Sequence, residues 1–343
     1  MPPMLALQKI APAQGLALRE VPEPTPPQGD EVLIDVGATG ICGSDLHIDA
    51  WTPGYAAMSD AMPVTIGHEF SGMVAALGPL VKGVAKGDRV TLLPSVTCGA
   101  CDKCLQGDYD ACDTRTGIGV TRAGAFARWV KAPVRNCVPV PMNVSDELAA
   151  LAEPLSVGAR AVRTGEVRAG QTVLVLGPGT IGQSIALWAR RAGAVVCIAG
   201  RDDAERLGVL RELGFEDLHD VGRRTLPEVL RARRFDVVFE ATGVPQIVDQ
   251  GLALLKRGGV FVCVGIHPSA AQVDLTRVVR RNLQIRGSYR APRELWDEVM
   301  QMLAEEGASI APMITHRLPL ARVLEGFDLA HRRIASKVMV FPQ

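Results

Sequence analysis

A buried strand that runs straight into a glycine turn and then a helix limits this chain more than any other feature. Thr172-Val-Leu-Val-Leu176 is continuously apolar, Gly177-Pro-Gly179-Thr180-Ile181-Gly182 follows, and an apolar stripe at helical spacing continues to about Ala192. An apolar run without alternation suits a strand covered on both faces. In such a turn Gly177 permits the tight bend, Gly179 lets main chain approach a pyrophosphate, and Gly182 lets the helix sit close to the sheet. The helix N-terminus then offers free amides and a positive dipole end to an anion. Glycine-rich turns also occur without nucleotide, so the strand before and the helix after carry the dinucleotide reading. Further strands at 195–199, 235–240, 260–265 and 283–287, with helical stretches between several of them, predict a doubly wound parallel sheet over residues 151–290.

At 343 residues the chain exceeds one ordinary core. From about Met4 to Val140 it is rich in glycine, proline and short alternating runs such as Glu31-Val-Leu-Ile-Asp-Val36 and Asp88-Arg-Val-Thr-Leu-Leu93, so residues 1–150 read as a β-rich domain. After Ala291 come two amphipathic helices, 294–306 and 320–332, and a strand at 337–341. These pieces either extend the sheet domain or return to the first. Equal numbers of basic and acidic residues, 37 of each, give no electrostatic reason to expect nucleic acid or an anionic membrane as partner. The N-terminal stretch lacks the pattern of a secretion signal and no run reaches the length of a membrane span, so the expected compartment is the cytoplasm, where thiols stay reduced.

Cys98, Cys101, Cys104 and Cys112 follow the spacing C-x2-C-x2-C-x7-C. One turn-rich loop can wrap four thiolates around a tetrahedral ion with no position left open, which describes a structural zinc site. Two disulfides would need an oxidising compartment, and a redox C-x-x-C pair leaves the third and fourth cysteines unexplained. The chemistry must lie elsewhere. Cys42, Ser44, Asp45 and His47 form one cluster and Gly67-His68-Glu69 another. Thiolate, imidazole and carboxylate all suit zinc, and three protein ligands would leave one position for an oxygen of water or substrate. Singly, Cys42 is a buried small side chain and His68 a hydrogen-bonded one; together with the cysteine lobe and the dinucleotide turn they are hard to assign to packing.

On these motifs the chain resembles the zinc-dependent medium-chain dehydrogenases, the alcohol, polyol and threonine dehydrogenases. Gly67-His-Glu-Phe-Ser-Gly72, continued by Gly78, Val81 and Gly87-Asp-Arg-Val90, is similar to the family's zinc signature, and Leu151-Ala-Glu-Pro-Leu155 to a third catalytic element. The resemblance implies an α/β chain with a GroES-like catalytic domain and a Rossmann domain, residues 291–343 returning to the former, and a dimer or tetramer. It implies Cys42 and His68 as catalytic zinc ligands, with Glu69 and Glu153 at or beside the ion and members differing on which binds directly. The hydroxyl of Ser44 would accept the substrate proton and relay it through the cofactor ribose to His47. Cofactor contacts are implied at Ile181, Arg206, Val264-Gly265-Ile266 and Ser288-Tyr289. Asp45 is expected to brace its loop through backbone hydrogen bonds.

Two zinc ions per subunit and NAD(P) are thus the expected cofactors. Where an acid usually holds the ribose 2′-hydroxyl, the chain has Gly200 or Arg201. Arg201 could pair with a 2′-phosphate, which leans the reading to NADP, although Asp202 could reach a ribose and Arg201 could stack on adenine. The substrate is expected to be a small secondary alcohol or its ketone, a polyol or sugar ahead of L-threonine or a butanediol. Two readings of other kinds compete. A zinc-free enone or quinone reductase of the same fold would lack the metal residues present here, and a non-catalytic zinc-stabilised binding protein would have no use for the relay residues.

Overall fold

The computed structural model describes residues 2–343, the side chain of residue 110 excepted. Six parallel strands form one sheet in the order Leu218–Asp220, Val195–Gly200, Thr172–Leu176, Phe235–Glu240, Leu255–Cys263 and Gln284–Gly287. Numbered along the chain this is 3-2-1-4-5-6, the order that places a dinucleotide crevice at the carboxyl ends of the strands. Alternate residues of Thr172–Leu176 feed two separate cores. Val173 and Val175 join one with the helices Ala152–Thr164, Thr180–Arg191 and Arg293–Ile310, while Leu174 and Leu176 join another with Leu226, Leu252 and Phe261. Burial on both faces is the physical reason for the unbroken apolar run.

The β-rich half is built on Glu31–Gly40. This strand pairs antiparallel with Glu69–Leu77, Trp129–Pro133 and Lys337–Phe341, and Ile314–Pro319 adds alongside the last of these. A smaller sheet joins Pro3–Lys9 to Ala17–Pro22 and Val64–Thr65. The segment after residue 291 divides between the halves. Helix Arg293–Ile310 packs on Ala152–Thr164 and buries Trp296, Val299 and Leu303 in the core shared with the parallel sheet. The two strands that follow belong to the sheet of Glu31–Gly40.

Some elements differ from the sequence expectations. The stretch 320–332 is a short 3-10 turn, Leu320–Arg322, followed by helix Val323–His331. Strands Leu218–Asp220 and Ile314–Pro319 had no clear signal, since the first is a three-residue edge strand with half-exposed side chains and the second carries His316, Arg317 and a terminal proline. Among the described residues no helix is long and apolar enough to cross a membrane.

Candidate active site

Cys42 caps the N-terminus of helix Gly43–Ala50, which puts Ser44 in the first turn and His47 in the last, one turn apart on the same face. Asp45 is fully buried and does two things. Its Oδ2 accepts from the Cys42 amide at 2.9 Å, the loop-bracing role expected from sequence, and its Oδ1 lies 3.6 Å from His68 Nδ1. At that distance the two buried atoms are not hydrogen-bonded and neither has another partner, so the second contact is electrostatic. The other ring nitrogen, Nε2, lies 3.1 Å from Ser44 Oγ. Burial alone would lower the His68 pKa, yet Asp45 and the Cys42 sulfur raise it well above its ordinary value.

Glu69 begins the next strand. Its Oε2 accepts from Lys337 Nζ at 2.5 Å, and Lys337 also donates to the Ile41 carbonyl at 2.8 Å. Both side chains are almost wholly buried, 2% exposed for Lys337 and 1% for Glu69. Glu69 Oε1 has no hydrogen-bond partner. Glu153, in the first turn of Ala152–Thr164, completes the group: burial first, opposed by His68 and reinforced by Glu69, pushes its carboxyl up to about 7. Cys42 is raised by burial and then by Glu69. A thiol, an imidazole and two carboxylates, with one buried carboxylate oxygen left unsatisfied, are a donor set whose chemistry suits a zinc ion, although no three of their ligand atoms draw within 4.8 Å of one another as those of the cysteine lobe do.

The ring of His47 stacks against Tyr55, with centroids 6.4 Å apart and planes at 18°, and Nδ1 lies 3.5 Å from Thr52 Oγ1. Burial lowers the His47 pKa, which keeps the imidazole neutral near pH 7. Lys337 and Tyr55 are absent from the sequence reading. A lysine opening the apolar strand Lys337–Phe341 was the available signal for the first, because a charge facing inward there requires an acid partner.

The cysteine lobe is a separate group. Cys98, Cys101, Cys104 and Cys112 bring their sulfurs within 4.8 Å of one another and none is in a disulfide. Cys98 Sγ lies 3.8 Å from Cys104 Sγ and 3.7 Å from Cys112 Sγ. A tetrahedron with zinc–sulfur bonds of about 2.3 Å has edges of about 3.8 Å, so these spacings suit a four-thiolate zinc site. The Cys101 amide donates to Cys98 Sγ and the Cys98 amide to Cys112 Sγ, which stabilises the thiolate forms. A third group, Cys197, Asp217 and His219, also converges, but Arg233 already neutralises it with two hydrogen bonds to Asp217, whose pKa falls to about 2 with that contact as the chief cause.

The nucleotide side assembles at the carboxyl edge of the parallel sheet. Gly177 has φ +106°, and a Cβ on Gly182 would stand 1.8 Å from the Gly177 carbonyl oxygen, so helix and turn touch through main chain alone. Thr180 Oγ1 donates to the Ser336 carbonyl at 3.0 Å, and Ile181 is partly buried beside it. Gly179 faces the guanidinium of Arg206, which clasps the buried Asp203 through two hydrogen bonds. Arg201 is exposed and bonds the Gly222 carbonyl at 2.9 Å. Val264, Gly265 and Ile266 follow the Leu255–Cys263 strand. Ser288 is anchored to the Cys263 carbonyl with its own hydroxyl buried and unpartnered, and Tyr289 lies 66% exposed with Arg290 over its ring.

Residues 28–142 match the family described as "Alcohol dehydrogenase GroES-like domain" and residues 180–305 that described as "Zinc-binding dehydrogenase". The chain is 33% identical over 342 residues to L-threonine 3-dehydrogenase of Cronobacter sakazakii, covering 98% of this chain and 99% of that one. A zinc-binding dehydrogenase from Sinorhizobium meliloti, solved bound to NADP, superposes with a TM-score of 0.88 at 29% identity and covers 100% of both chains. 2R,3R-butanediol dehydrogenase from Bacillus subtilis and galactitol-1-phosphate dehydrogenase from Escherichia coli each give a TM-score of 0.88 at 27% identity over 99% of this chain and 100% of theirs.

Proposed function

The chain belongs to the zinc-dependent medium-chain dehydrogenase family and is an enzyme of its alcohol and polyol type, and from that premise we propose that it interconverts a small polyol or sugar and the corresponding ketone with NADP. The observation that carries this reading is two consecutive residues that tie the two chemistries together. Ser336 accepts from Thr180 and donates to Gln183 on the helix of the glycine turn, and Lys337 holds Glu69 of the metal group. The nucleotide edge and the candidate metal ligands therefore adjoin.

Cys42, His68 and Glu153 would hold the catalytic ion, with Glu69 behind them because Lys337 already engages one of its oxygens. Bound there, zinc acts as a Lewis acid that makes a substrate hydroxyl far more acidic. Ser44 Oγ, set beside His68, receives the substrate proton. His47, one turn on and neutral near pH 7, passes it to solvent from the half-exposed side of the helix. Asp45 sets a buried carboxylate beside the far nitrogen of His68. Cys98, Cys101, Cys104 and Cys112 would hold the second, structural ion.

For the cofactor, Asp203 is buried against Arg206 and so is not free for a 2′-hydroxyl, which leaves exposed Asp202 as the acid beside the expected ribose position. Arg201 is exposed at the same strand end and can meet a 2′-phosphate. Leu275, Val279 and Ile285 are exposed on and beside the open edge strand Gln284–Gly287, which favours a homo-oligomer joined along that edge; sedimentation as a monomer would remove this part.

The test is a screen of polyols, diols and L-threonine with each cofactor. We expect turnover on a polyol, with kcat/KM at least about tenfold higher for NADP than for NAD, the effect of one charge-assisted contact. L-Threonine is the second reading, favoured by the identity to the Cronobacter enzyme. Its preferential turnover, or a preference for NAD, would overturn the corresponding part.

A further inference from the structure

Glu240 is a node at the carboxyl edge of the parallel sheet. It ends the strand Phe235–Glu240, directly opposite Leu176, which leads into the glycine turn. Its main-chain carbonyl accepts from the Val264 amide at 2.9 Å and the Gly265 amide at 3.0 Å. Its carboxylate is fully buried. Oε1 accepts from the Thr242 amide at 2.7 Å, the Thr242 hydroxyl at 2.5 Å and the Gly243 amide at 2.8 Å. Oε2 lies 3.2 Å from His267 Nε2 without the geometry of a hydrogen bond, so an acceptor and a ring nitrogen, both buried and both without a hydrogen-bond partner, face each other.

The loops on either side are pressed together at this point. A Cβ on Gly265 would stand 2.3 Å from the Gly243 nitrogen and 2.7 Å from Glu240 Oε2. The turn Val264-Gly265-Ile266 is thus held at its start by main-chain bonds to Glu240, and at its far end the His267 side chain stands against the same carboxylate. A buried carboxylate oxygen without a donor is costly. His267 Nε2, itself buried and unpartnered, is a ring nitrogen within reach of that oxygen.

We propose that His267 is a positioning residue for the nicotinamide half of the cofactor: by donating to Glu240 Oε2 it fixes the turn Val264–Ile266 in the shape that receives the nicotinamide. This rests on the reading that the turn contacts NAD(P). His267 touches no reacting atom in this scheme and acts through the turn alone.

The experiment is fluorescence titration of the zinc-loaded protein with NADPH and NADH, and competition by ADP-ribose, which lacks the nicotinamide, for wild type, His267→Leu, His267→Gln and His267→Asn. The leucine variant is expected to bind reduced dinucleotide about tenfold more weakly, the effect of stranding one buried acceptor. Glutamine, whose amide reaches the carboxylate, should stay within about twofold of wild type, and asparagine, which is too short, should behave as leucine does. ADP-ribose should bind all folded variants equally. Should leucine fail to fold, the glutamine–asparagine comparison carries the same contrast. The inference is overturned if the leucine or asparagine variant matches wild type, if glutamine is as weak as either, or if ADP-ribose binding falls in parallel. Wild-type protein that binds neither dinucleotide would overturn the dehydrogenase reading itself, and this inference with it.

Discussion

Cys42→Ser is expected to lower kcat by about a thousandfold or more, since the charge stabilisation supplied by a catalytic ion amounts to several kcal/mol. Metal analysis should show one zinc ion per subunit lost and the ion of the cysteine lobe kept, because Cys98, Cys101, Cys104 and Cys112 form an independent group. Secondary structure should be unchanged, as Cys42 serves the fold only as a helix cap whose amide is held by Asp45. Cys104→Ser provides the opposite result. That variant should lose the other ion, expose the 98–115 stretch to limited proteolysis and lower the melting temperature, because the lobe has little apolar burial of its own to hold it closed. Full dehydrogenase activity in Cys42→Ser would end the assignment of the catalytic site. Loss of both ions together in either variant would show that the two groups are not independent.

Lys337→Met carries the largest expected effect on stability. The ammonium and the Glu69 carboxylate are buried together, and removing one partner of such a pair leaves a charge uncompensated at a cost of about 3–5 kcal/mol. Methionine fills the space of the lysine stem, so the loss reports the charge more than the packing. The unfolding transition of the β-rich half should move to lower urea concentration. The double variant Glu69→Gln/Lys337→Met should recover much of the difference, because the stranded charge is gone. A Lys337→Met protein that unfolds with wild type, or a double variant no better than the single, would mean that the pair does not hold the last strand to the metal group. The same substitution frees Glu69 to compete with Glu153 for zinc, so a change in metal affinity is expected even where the fold survives.

The sequence revealed those parts of the site whose members are close along the chain. The cysteine lobe is closed within fifteen residues of loop, and its sulfur spacing already matches a tetrahedron. The strand, glycine turn and helix at 172–192 follow from local backbone needs, a positive φ at Gly177 and no room for a side chain at Gly182. Ser44 and His47 lie three residues apart on one short helix capped by Cys42, so the face those two share follows from spacing. Asp45 was legible by half: its bond to the Cys42 amide is local, whereas its contact with His68 is not.

By itself the sequence determined a two-part α/β chain, the strand, turn and helix of the glycine-turn unit, and which residue types could bind zinc or a dinucleotide. Tertiary structure alone decided which charges meet. Lys337 reaches Glu69 across 268 residues, Thr180 reaches Ser336 across 156, and His267 comes within 3.2 Å of a carboxylate at the end of another strand. The reason is that motif spacing encodes contacts made within one loop or helix, where covalent geometry sets the distance. A buried charge instead needs a partner from wherever the folded sheets bring one, and that position depends on strand pairing through the whole domain.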